Sequence, residues 1–142
     1  MSHYQHILCP IDFSKNCRKT LEKALKLKQE NQAKLTVVHY IEPLPPAAYA
    51  MGVIDYENDF MLEAKKMMTQ LAKEYQLAEA DTHVESGKAK HDIADYAKNE
   101  AVDLIVIGSH GHHGILNNLV GSTTTATINH AHCDVYIVKA DQ

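Results

Sequence analysis

A short, unbroken apolar run followed by a glycine-rich loop constrains the fold of this chain more than any other stretch. The run, residues 104–107, has the pattern of a strand that is buried on both faces, which is typical of a parallel sheet. The loop after it is punctuated by glycines at four positions: Gly108, Gly111, Gly114 and Gly121. Three hydroxyl residues, Ser122, Thr123 and Thr124, then open a helical pattern. A helix start offers free backbone N–H groups and glycines allow close approach, so this segment is predicted to hold phosphate.

The glycine spacing excludes two common phosphate-binding motifs. A P-loop requires Gly-Lys-Ser or Gly-Lys-Thr, whereas here Gly121-Ser122 follows Val120, and the dinucleotide fingerprint requires two glycines separated by one residue. The spacing present is Gly108, two residues, Gly111, nine residues and then Gly121-Ser122. Glycines alone would indicate no more than a loop that turns the chain. The full spacing, with a serine at a helix start, favours a binding loop, and it resembles the nucleotide-binding motif of the ATP-binding branch of the universal stress protein family.

Composition and charge narrow the class of protein. At 142 residues the chain is predicted to form one domain, residues 1–142. Its 14 basic and 18 acidic residues give a net charge of −4 without a basic block, which argues against a nucleic-acid surface. The apolar runs are too short to span a membrane, and the first residues lack the features of a signal peptide. Three cysteines without zinc-site spacing, Cys9, Cys17 and Cys133, favour a reduced, cytoplasmic setting.

Apolar runs and helical patterns alternate along the chain. Strands are predicted at five places: residues 7–11, 34–40, 81–85, 103–107 and 134–138. With helices between them, this alternation indicates an α/β fold, a Rossmann-like, doubly wound parallel sheet with helices on both faces. We expect the strand order 3-2-1-4-5, with the two most apolar strands, the first and the fourth, in the interior of the sheet.

Three local predictions depend on finer detail. Asp12 or Ser14 is expected to cap the first helix. Residues 43–55 have no clear period and are predicted to form a long, mobile loop at the carboxyl end of the second strand. On the second helix, one apolar stripe is expected to face the core: Phe60, Ala64, Met67, Leu71 and Tyr75.

The expected strand order points to one crevice. Ligands of a doubly wound sheet lie beyond the carboxyl ends of the strands where the winding reverses, which is here between the first and fourth strands. The two loops at that point would be residues 10–14 and 108–121, the most distinctive loops of the sequence. Two separate signals therefore indicate the same place.

Four segments resemble the universal stress protein family, and the resemblance extends along essentially the whole chain. They are similar to its opening strand with an Asp-containing turn, the end of its second strand, its glycine segment and its closing strand: residues 6–14, 37–40, 102–111 and 133–138. The resemblance implies that the ligand is ATP, carried with Mg²⁺. It also implies a regulatory module of the stress response rather than a catalyst.

The resemblance implies a role for each matching position. Pro10 and Ile11 would line the adenine side, Asp12 would orient the nucleoside or support Mg²⁺, and His39 and Tyr40 would touch the base. The motif residues would pass close to the nucleotide or meet its phosphates: Gly108, Ser109, His110, Gly111, Gly121, Ser122 and Thr123. One position departs from the family, because Tyr40 stands where a smaller aliphatic residue is usual. A phenol there would either stack on adenine or crowd the pocket.

The last predicted strand suggests a partner. Residues Asp134–Val138 follow the last helix, nothing after them in the sequence would cover an open edge, and an exposed apolar edge strand is a hazard that proteins protect. Antiparallel pairing of this strand across a twofold axis would give a homodimer, which the family resemblance also implies. The alternative is a monomer whose edge is blunted by Asp134 and Lys139.

Three other functions agree with parts of the sequence. The clustered His110, His112 and His113 could contribute to a metal site, although no carboxylate or cysteine lies nearby in sequence. A slow ATP hydrolase would need an orienting group or an arginine finger, which the motif loop lacks, and Cys9 in a predicted buried strand would be an inert thiol. A universal stress protein that acts through protein interactions without nucleotide would be consistent with Tyr40.

Overall fold

The five apolar runs form a parallel sheet, and helices cover both of its faces. The computed structural model describes residues 3–52, 54–110 and 120–141. In chain order the elements are β1 (His6–Pro10), α1 (Cys17–Asn31), β2 (Lys34–Ile41), α2 (Pro46–Ala50), α3 (Ile54–Glu74), a 3₁₀ turn (Glu79–Asp81), β3 (Thr82–Ser86), α4 (Ala89–Asn99), β4 (Leu104–Gly108), α5 (Ser122–His130) and β5 (Asp134–Val138). The sheet order is β3-β2-β1-β4-β5, which confirms the predicted topology.

Alternation along the strands divides the core into two layers. In β1, Ile7 and Cys9 pack in one layer with residues of α1 and α3, whereas Leu8 packs in the other with residues of α4. All three side chains are fully buried. The interior strands β1 and β4 are buried along nearly their whole length, as their continuous apolar runs predicted.

Pro10 ends β1 without loss of a sheet hydrogen bond. β1 pairs with β2 as far as Pro10↔Val38, but with β4 only as far as Leu8↔Ile105. The Ile11 N–H donates to Val38 O at 2.9 Å, so the nitrogen of Pro10 faces the β4 side, where pairing has already ended. The two strands therefore part just where the proline lies.

The first helix begins later than either predicted cap. Its N-cap is Asn16, and α1 begins at Cys17, so the prediction of Asp12 or Ser14 was wrong. The Asp12 carboxylate instead accepts the Ser14 N–H at 3.0 Å, a local bond that competes with capping. Phe13 between them has a φ of 59°, a left-handed conformation, so the chain turns once more before the helix starts.

The segment after β2 contains a helix where an irregular loop was predicted. Pro46–Ala50 form α2, and α3 already begins at Ile54. A proline at the first helical position costs nothing, because the first N–H groups of a helix have no partner within it. The sequence did not predict this helix because none of its residues is buried, so it has no apolar period. The mobility of this segment stays a prediction.

The buried face of α3 differs from the predicted stripe. Ala64, Met68 and Leu71 are buried, whereas Phe60 and Met67 are 56% and 36% exposed. This face packs on β2 and β3. The i, i+4, i+7 pattern from Ala64 selects Met68, and the neighbouring methionine made the choice ambiguous in the sequence.

The other boundaries agree with the predictions closely. β2 extends one residue further to Ile41, β3 and β4 each begin one residue later, and β5 spans Asp134–Val138 as predicted. None of the helices in the described part of the chain is long and apolar enough to cross a membrane.

Candidate functional site: a cleft at the carboxyl edge of the sheet

A cleft of about 440 Å³ lies where β1 and β4 part. From β1 the chain crosses to β2 on one side, whereas β4 lies on the other side, so the winding of the sheet reverses at this point. The walls come from the loop after β1, the end of β2, the end of β4 and the first turns of α1, α4 and α5. The cleft therefore occupies the crevice that the strand order predicted.

The structure brings most of the predicted site residues together. Ten of them line the cleft: Pro10, Ile11, Asp12, His39, Tyr40, Gly108, His110, Gly121, Ser122 and Thr123. Ser109 is buried behind the wall and does not line the cleft. Gly111 lies outside the described residues.

Ser109 connects the end of β4 to the chain that follows β5. Its N–H donates to Val138 O at 2.9 Å, and its hydroxyl oxygen accepts the Ala140 N–H at 2.9 Å. The same hydroxyl lies 3.1 Å from Nδ1 of His110. His110 Nε2 is buried and has no hydrogen-bond partner among the described residues. Ser109 thus positions the neighbouring histidine and does not itself face the cleft.

Sequence reasoning missed the residues that the helices contribute to the walls. The missed positions are Asn16, Cys17, Thr20, Ala89 and Ile93, together with Ile107 of β4. Ser14 and Thr124 also line the cleft, and both lie in segments that the sequence assigned to it, residues 10–14 and the hydroxyl run after Gly121. Local sequence could not show that the start of each helix extends past the sheet. One usable signal was the pair Asn16 and Thr20, since residues four apart lie on the same side of a helix.

On the β2 side of the cleft, His39 is fixed by the loop after β1. Its Nδ1 lies 2.7 Å from Ile11 O. The ring of Phe13 lies 4.6 Å from the imidazole, centroid to centroid, at an interplanar angle of 57°. Burial lowers the pKa of His39, against smaller opposing effects from the Ile11 hydrogen bond and the Asp12 carboxylate. The imidazole is therefore neutral near pH 7.

Tyr40 forms a wall of the cleft against α4. Its hydroxyl donates to Asp92 O at 3.3 Å, and burial raises the pKa of the phenol. The Asp92 carboxylate accepts the Lys88 N–H at 2.7 Å at the start of α4. A Cβ at Gly87 would clash with Asp92 and would lie 3.3 Å from the Tyr40 ring, so a larger residue would displace this corner. The hydroxyl anchors the ring against α4 and leaves the cleft open.

On the other side, the first turn of α5 presents amides that have no partner within the helix. The Thr125 N–H donates the first intrahelical bond, to Gly121 O at 2.9 Å, so the amides of Ser122, Thr123 and Thr124 have no partner within the helix. Gly121 is the N-cap, with φ −63° and ψ 160°, a conformation open to any residue. Glycine is therefore not required here for backbone conformation.

Two hydrogen bonds hold this turn against the end of β4. The Thr124 hydroxyl donates to Gly108 O at 2.6 Å, and the Gly121 N–H donates to Ser109 O at 2.7 Å. A Cβ at Gly108 would lie 3.1 Å from Thr20 Oγ1. The glycine thus allows α1 to approach the end of β4 closely.

No lysine or arginine lines the cleft among the residues that the structure describes. The sequence between Lys98 and Lys139 contains neither. At the start of α1, Arg18 and Lys19 make ion pairs with acidic side chains at 3.0 and 2.7 Å. A negatively charged ligand would therefore rely on amides, hydroxyls, imidazole and any cation that it brings, with Asp12 as the carboxylate of the site.

Metal and thiol chemistry receive little support from the described residues. Within residues 3–52, 54–110 and 120–141, no group of three His, Cys, Asp or Glu side chains could hold a metal ion. A metal site on His110, His112 and His113 remains a hypothesis, because the last two lie outside the described residues. Cys9 is fully buried as predicted, and burial raises the pKa of its thiol.

The fold and the cleft together define a doubly wound α/β protein with a ligand-sized site at the reversal of its strand order. The model of the universal stress protein family matches residues 3–139, and the chain belongs to that family. The sequence is 38% identical to universal stress protein A homolog 2 of Coxiella burnetii over 143 residues, which is 98% of this chain and 97% of the relative. It is 36% identical to homolog 1 of the same organism over 140 residues, 96% of each chain.

A solved structure supports the same assignment. Universal stress protein UspA from Lactobacillus plantarum matches with a TM-score of 0.84 and 30% sequence identity, covering 97% of this chain and 99% of that one. The family predicted from four short segments of sequence is therefore confirmed.

Proposed function

We propose that this protein binds ATP, as its Mg²⁺ complex, in the cleft between β1 and β4, and that it acts as a nucleotide-dependent regulatory module of the stress response. One observation carries the proposal: a single cleft joins an apolar pocket at the end of β2 to the amides at the start of α5 that have no partner within the helix. A volume of about 440 Å³ falls within the range of small-molecule sites.

The β2 side of the cleft fits a flat heteroaromatic base. Ile11 lines it from the loop after β1, Tyr40 lines it from β2, and Ala89 and Ile93 line it from α4. Apolar and aromatic walls favour a purine, because a planar base buries a large area in a narrow space. His39 adds a polar group at which a base edge can be read.

The α5 side fits phosphate. The amides of the first turn point out of the helix, the hydroxyls of Ser122 and Thr123 are beside them, and the helix dipole favours negative charge. Since no fixed positive side chain lines the described cleft, most of the triphosphate charge has to be balanced by a bound cation. Asp12 provides the oxygen chemistry that Mg²⁺ prefers, either directly or through water.

The regulatory role follows from what phosphoryl transfer requires. Rapid transfer depends on fixed cations and on a group that orients the nucleophile. Among the described lining residues, the ionisable groups besides thiol and phenol are Asp12, His39 and His110. We therefore propose that occupancy of the cleft, and not turnover of ATP, is the output of this protein. A measurement of phosphate release over hours tests that part separately.

The alternative, in which the protein works without nucleotide, depended on Tyr40 as an obstruction. Because the Tyr40 hydroxyl is bonded to Asp92 O, the ring lies against α4 and the cleft stays open. This arrangement favours nucleotide binding. Tyr40→Val, which restores a smaller residue, is expected to change ATP affinity by no more than about threefold, since the anchored ring contributes contact area but no essential polar group.

Titration calorimetry with Mg-ATP tests the proposal. Gly121→Val places a branched side chain in front of the α5 amides, and we expect ATP to bind at least about tenfold more weakly. Thr125→Val introduces the same residue into the same helix at an exposed position outside the cleft, and it should bind like the parent. No binding to the parent protein would refute the function, and unchanged binding to Gly121→Val would place the site elsewhere.

A further inference from the structure

The hydrogen bonding of His39 determines which of its ring nitrogens carries a hydrogen. Nδ1 lies 2.7 Å from Ile11 O, and a carbonyl oxygen can only accept a hydrogen bond. Nδ1 must therefore be the donor. In a neutral imidazole the other nitrogen, Nε2, then has no hydrogen and is left as an acceptor.

The acceptor Nε2 has no partner among the described residues. His39 lines the cleft, and no hydrogen bond joins Nε2 to any described residue. Nε2 is also not one of the buried atoms that lack a partner among the described residues. The Asp12 carboxylate, whose charge acts on His39, cannot supply a hydrogen because it is itself an acceptor. Whatever occupies this side of the cleft has to bring its own donor.

We propose that His39 Nε2 is the atom that selects the base, by accepting a hydrogen bond from the exocyclic amine of adenine. The inference rests on the proposed function, since it assumes that a purine nucleotide occupies this cleft. His39 is thus a specificity-determining residue. The Ile11 carbonyl fixes its tautomer, and the tautomer determines which base is preferred. A purine with a carbonyl at the same ring position would place two acceptors face to face.

The preference for ATP over other purine nucleoside triphosphates has an expected magnitude. The unpaired contact between Nε2 and a purine carbonyl lies in a half-buried site, where an unmade hydrogen bond is costly. We expect ATP to bind about 10- to 100-fold more tightly than inosine triphosphate, whose base carries the carbonyl instead of the amine. The triphosphate of purine riboside has neither group, and we expect it to bind about 3- to 10-fold more weakly than ATP.

Calorimetric titration of the three nucleotides, all with Mg²⁺, into the whole protein measures this ranking. In His39→Gln the side-chain amide can present either its oxygen or its nitrogen, so the ratio of ATP to inosine triphosphate affinity should fall to within about threefold. His6→Gln is the matched control. His6 also places Nδ1 against a backbone carbonyl, Glu100 O at 3.0 Å, but it lies at the first residue of β1, the end of the strand away from the cleft. His6→Gln should keep the ratio of ATP to inosine triphosphate affinity that the parent protein shows.

A spectroscopic measurement on the unmodified protein keeps the proposal open to refutation even when a variant fails to fold. Nitrogen NMR of labelled histidine should show His39 with hydrogen on Nδ1 and none on Nε2 at neutral pH. The Nε2 signal should shift on addition of ATP and stay in place with purine riboside triphosphate. A hydrogen on Nε2 in the free protein would overturn the inference.

The nucleotide ranking distinguishes a failure of the inference about His39 from a failure of the proposed function. If ATP and inosine triphosphate bind the parent protein equally well, the inference about His39 is wrong and the proposed function stands. If neither binds, the proposed function fails and the inference fails with it. If ATP is preferred but His39→Gln keeps the full preference, another group reads the base and the assignment to His39 is wrong.

Discussion

The Thr124 hydroxyl donates a 2.6 Å hydrogen bond to the carbonyl oxygen of Gly108, a residue 16 positions earlier in the sequence. The bond joins the first turn of α5 directly to the last residue of β4. It sets the direction of the helix start, and with it the direction of the amides that face the cleft.

Thr124→Val keeps the shape of the side chain and removes this bond. The Gly108 carbonyl loses a buried partner, so we expect the free energy of unfolding to fall by about 1–3 kcal/mol in urea titrations. ATP affinity should fall as well, because the α5 amides are no longer held in place. Thr127→Val is the control, since Thr127 is also buried and its hydroxyl bonds Thr123 O within the same helix. If both variants lose ATP affinity equally, the role assigned to the Thr124 bond is wrong.

The absence of lysine and arginine from the sequence between residues 98 and 139 leads to a prediction about cations. Removal of Mg²⁺ with a chelator should weaken ATP binding by at least about tenfold, since the triphosphate then meets amides and hydroxyls with its charge uncompensated. Adenosine carries no phosphate, so its binding should not change. Calorimetry with and without chelator measures both. Equal affinity for ATP under the two conditions would contradict the proposed Mg²⁺ complex.

The buried imidazole of His39 predicts a loss of stability in mild acid. Burial places the folded pKa of His39 below its ordinary value of 6.5, while the nearby Asp12 carboxylate and the Ile11 carbonyl oppose this shift without reversing it. The unfolded chain therefore takes up a proton at higher pH than the folded protein does. The stability that this difference contributes is complete above about pH 6.5 and is lost as the pH falls through the folded pKa.

Urea unfolding of the parent and of His39→Gln, from about pH 7.5 to pH 5, isolates this contribution. The stability of the parent relative to the variant should decrease as the pH falls, because only the parent carries the buried imidazole. A difference that grows toward acid would mean that the folded protein stabilises the charged form.

The edge strand β5 supports the proposal of a homodimer through Asp134–Val138. It pairs with β4 on one side, and Tyr136 and Ile137 are 40% and 37% exposed. Tyr136→Asp should convert a dimer to a monomer in light scattering at micromolar concentration, because it places a charge in the paired edge. Leu62→Asp introduces the same charge at another exposed apolar residue, on α3, and should leave the dimer intact. A monomer mass for the parent protein would end the proposal.

The strand order could be predicted from the sequence because each strand carries its own apolar run and the crossover rule leaves few arrangements. The predicted secondary structure was wrong at two places where the sequence has no hydrophobic period, a turn held by a local hydrogen bond and a helix on the surface. The Asp12–Ser14 turn displaced the start of α1, and α2 has no buried residue. On α3, two adjacent methionines gave the pattern two possible faces, and only packing on β2 and β3 decides between them.

The location of the cleft could be predicted from the sequence, but its full set of lining residues could not. Glycine spacing and the ends of strands located Gly108, Gly121 and His39. The contributions of Thr20 and Ile93 depend on how α1 and α4 project beyond the sheet, which is a property of packing and not of local sequence. The tautomer of His39 likewise depends on Ile11, a residue 28 positions away, so no local pattern contains it.

The early end of pairing between β1 and β4 has a consequence for the rate of ligand entry. Because the ladder stops at Leu8↔Ile105, the gap between the strands exists before any ligand arrives. A ligand that enters breaks no hydrogen bond between these strands and bears no cost of opening the sheet. Association should therefore show a single concentration-dependent phase in stopped-flow mixing, without a slower unimolecular step for rearrangement of the scaffold.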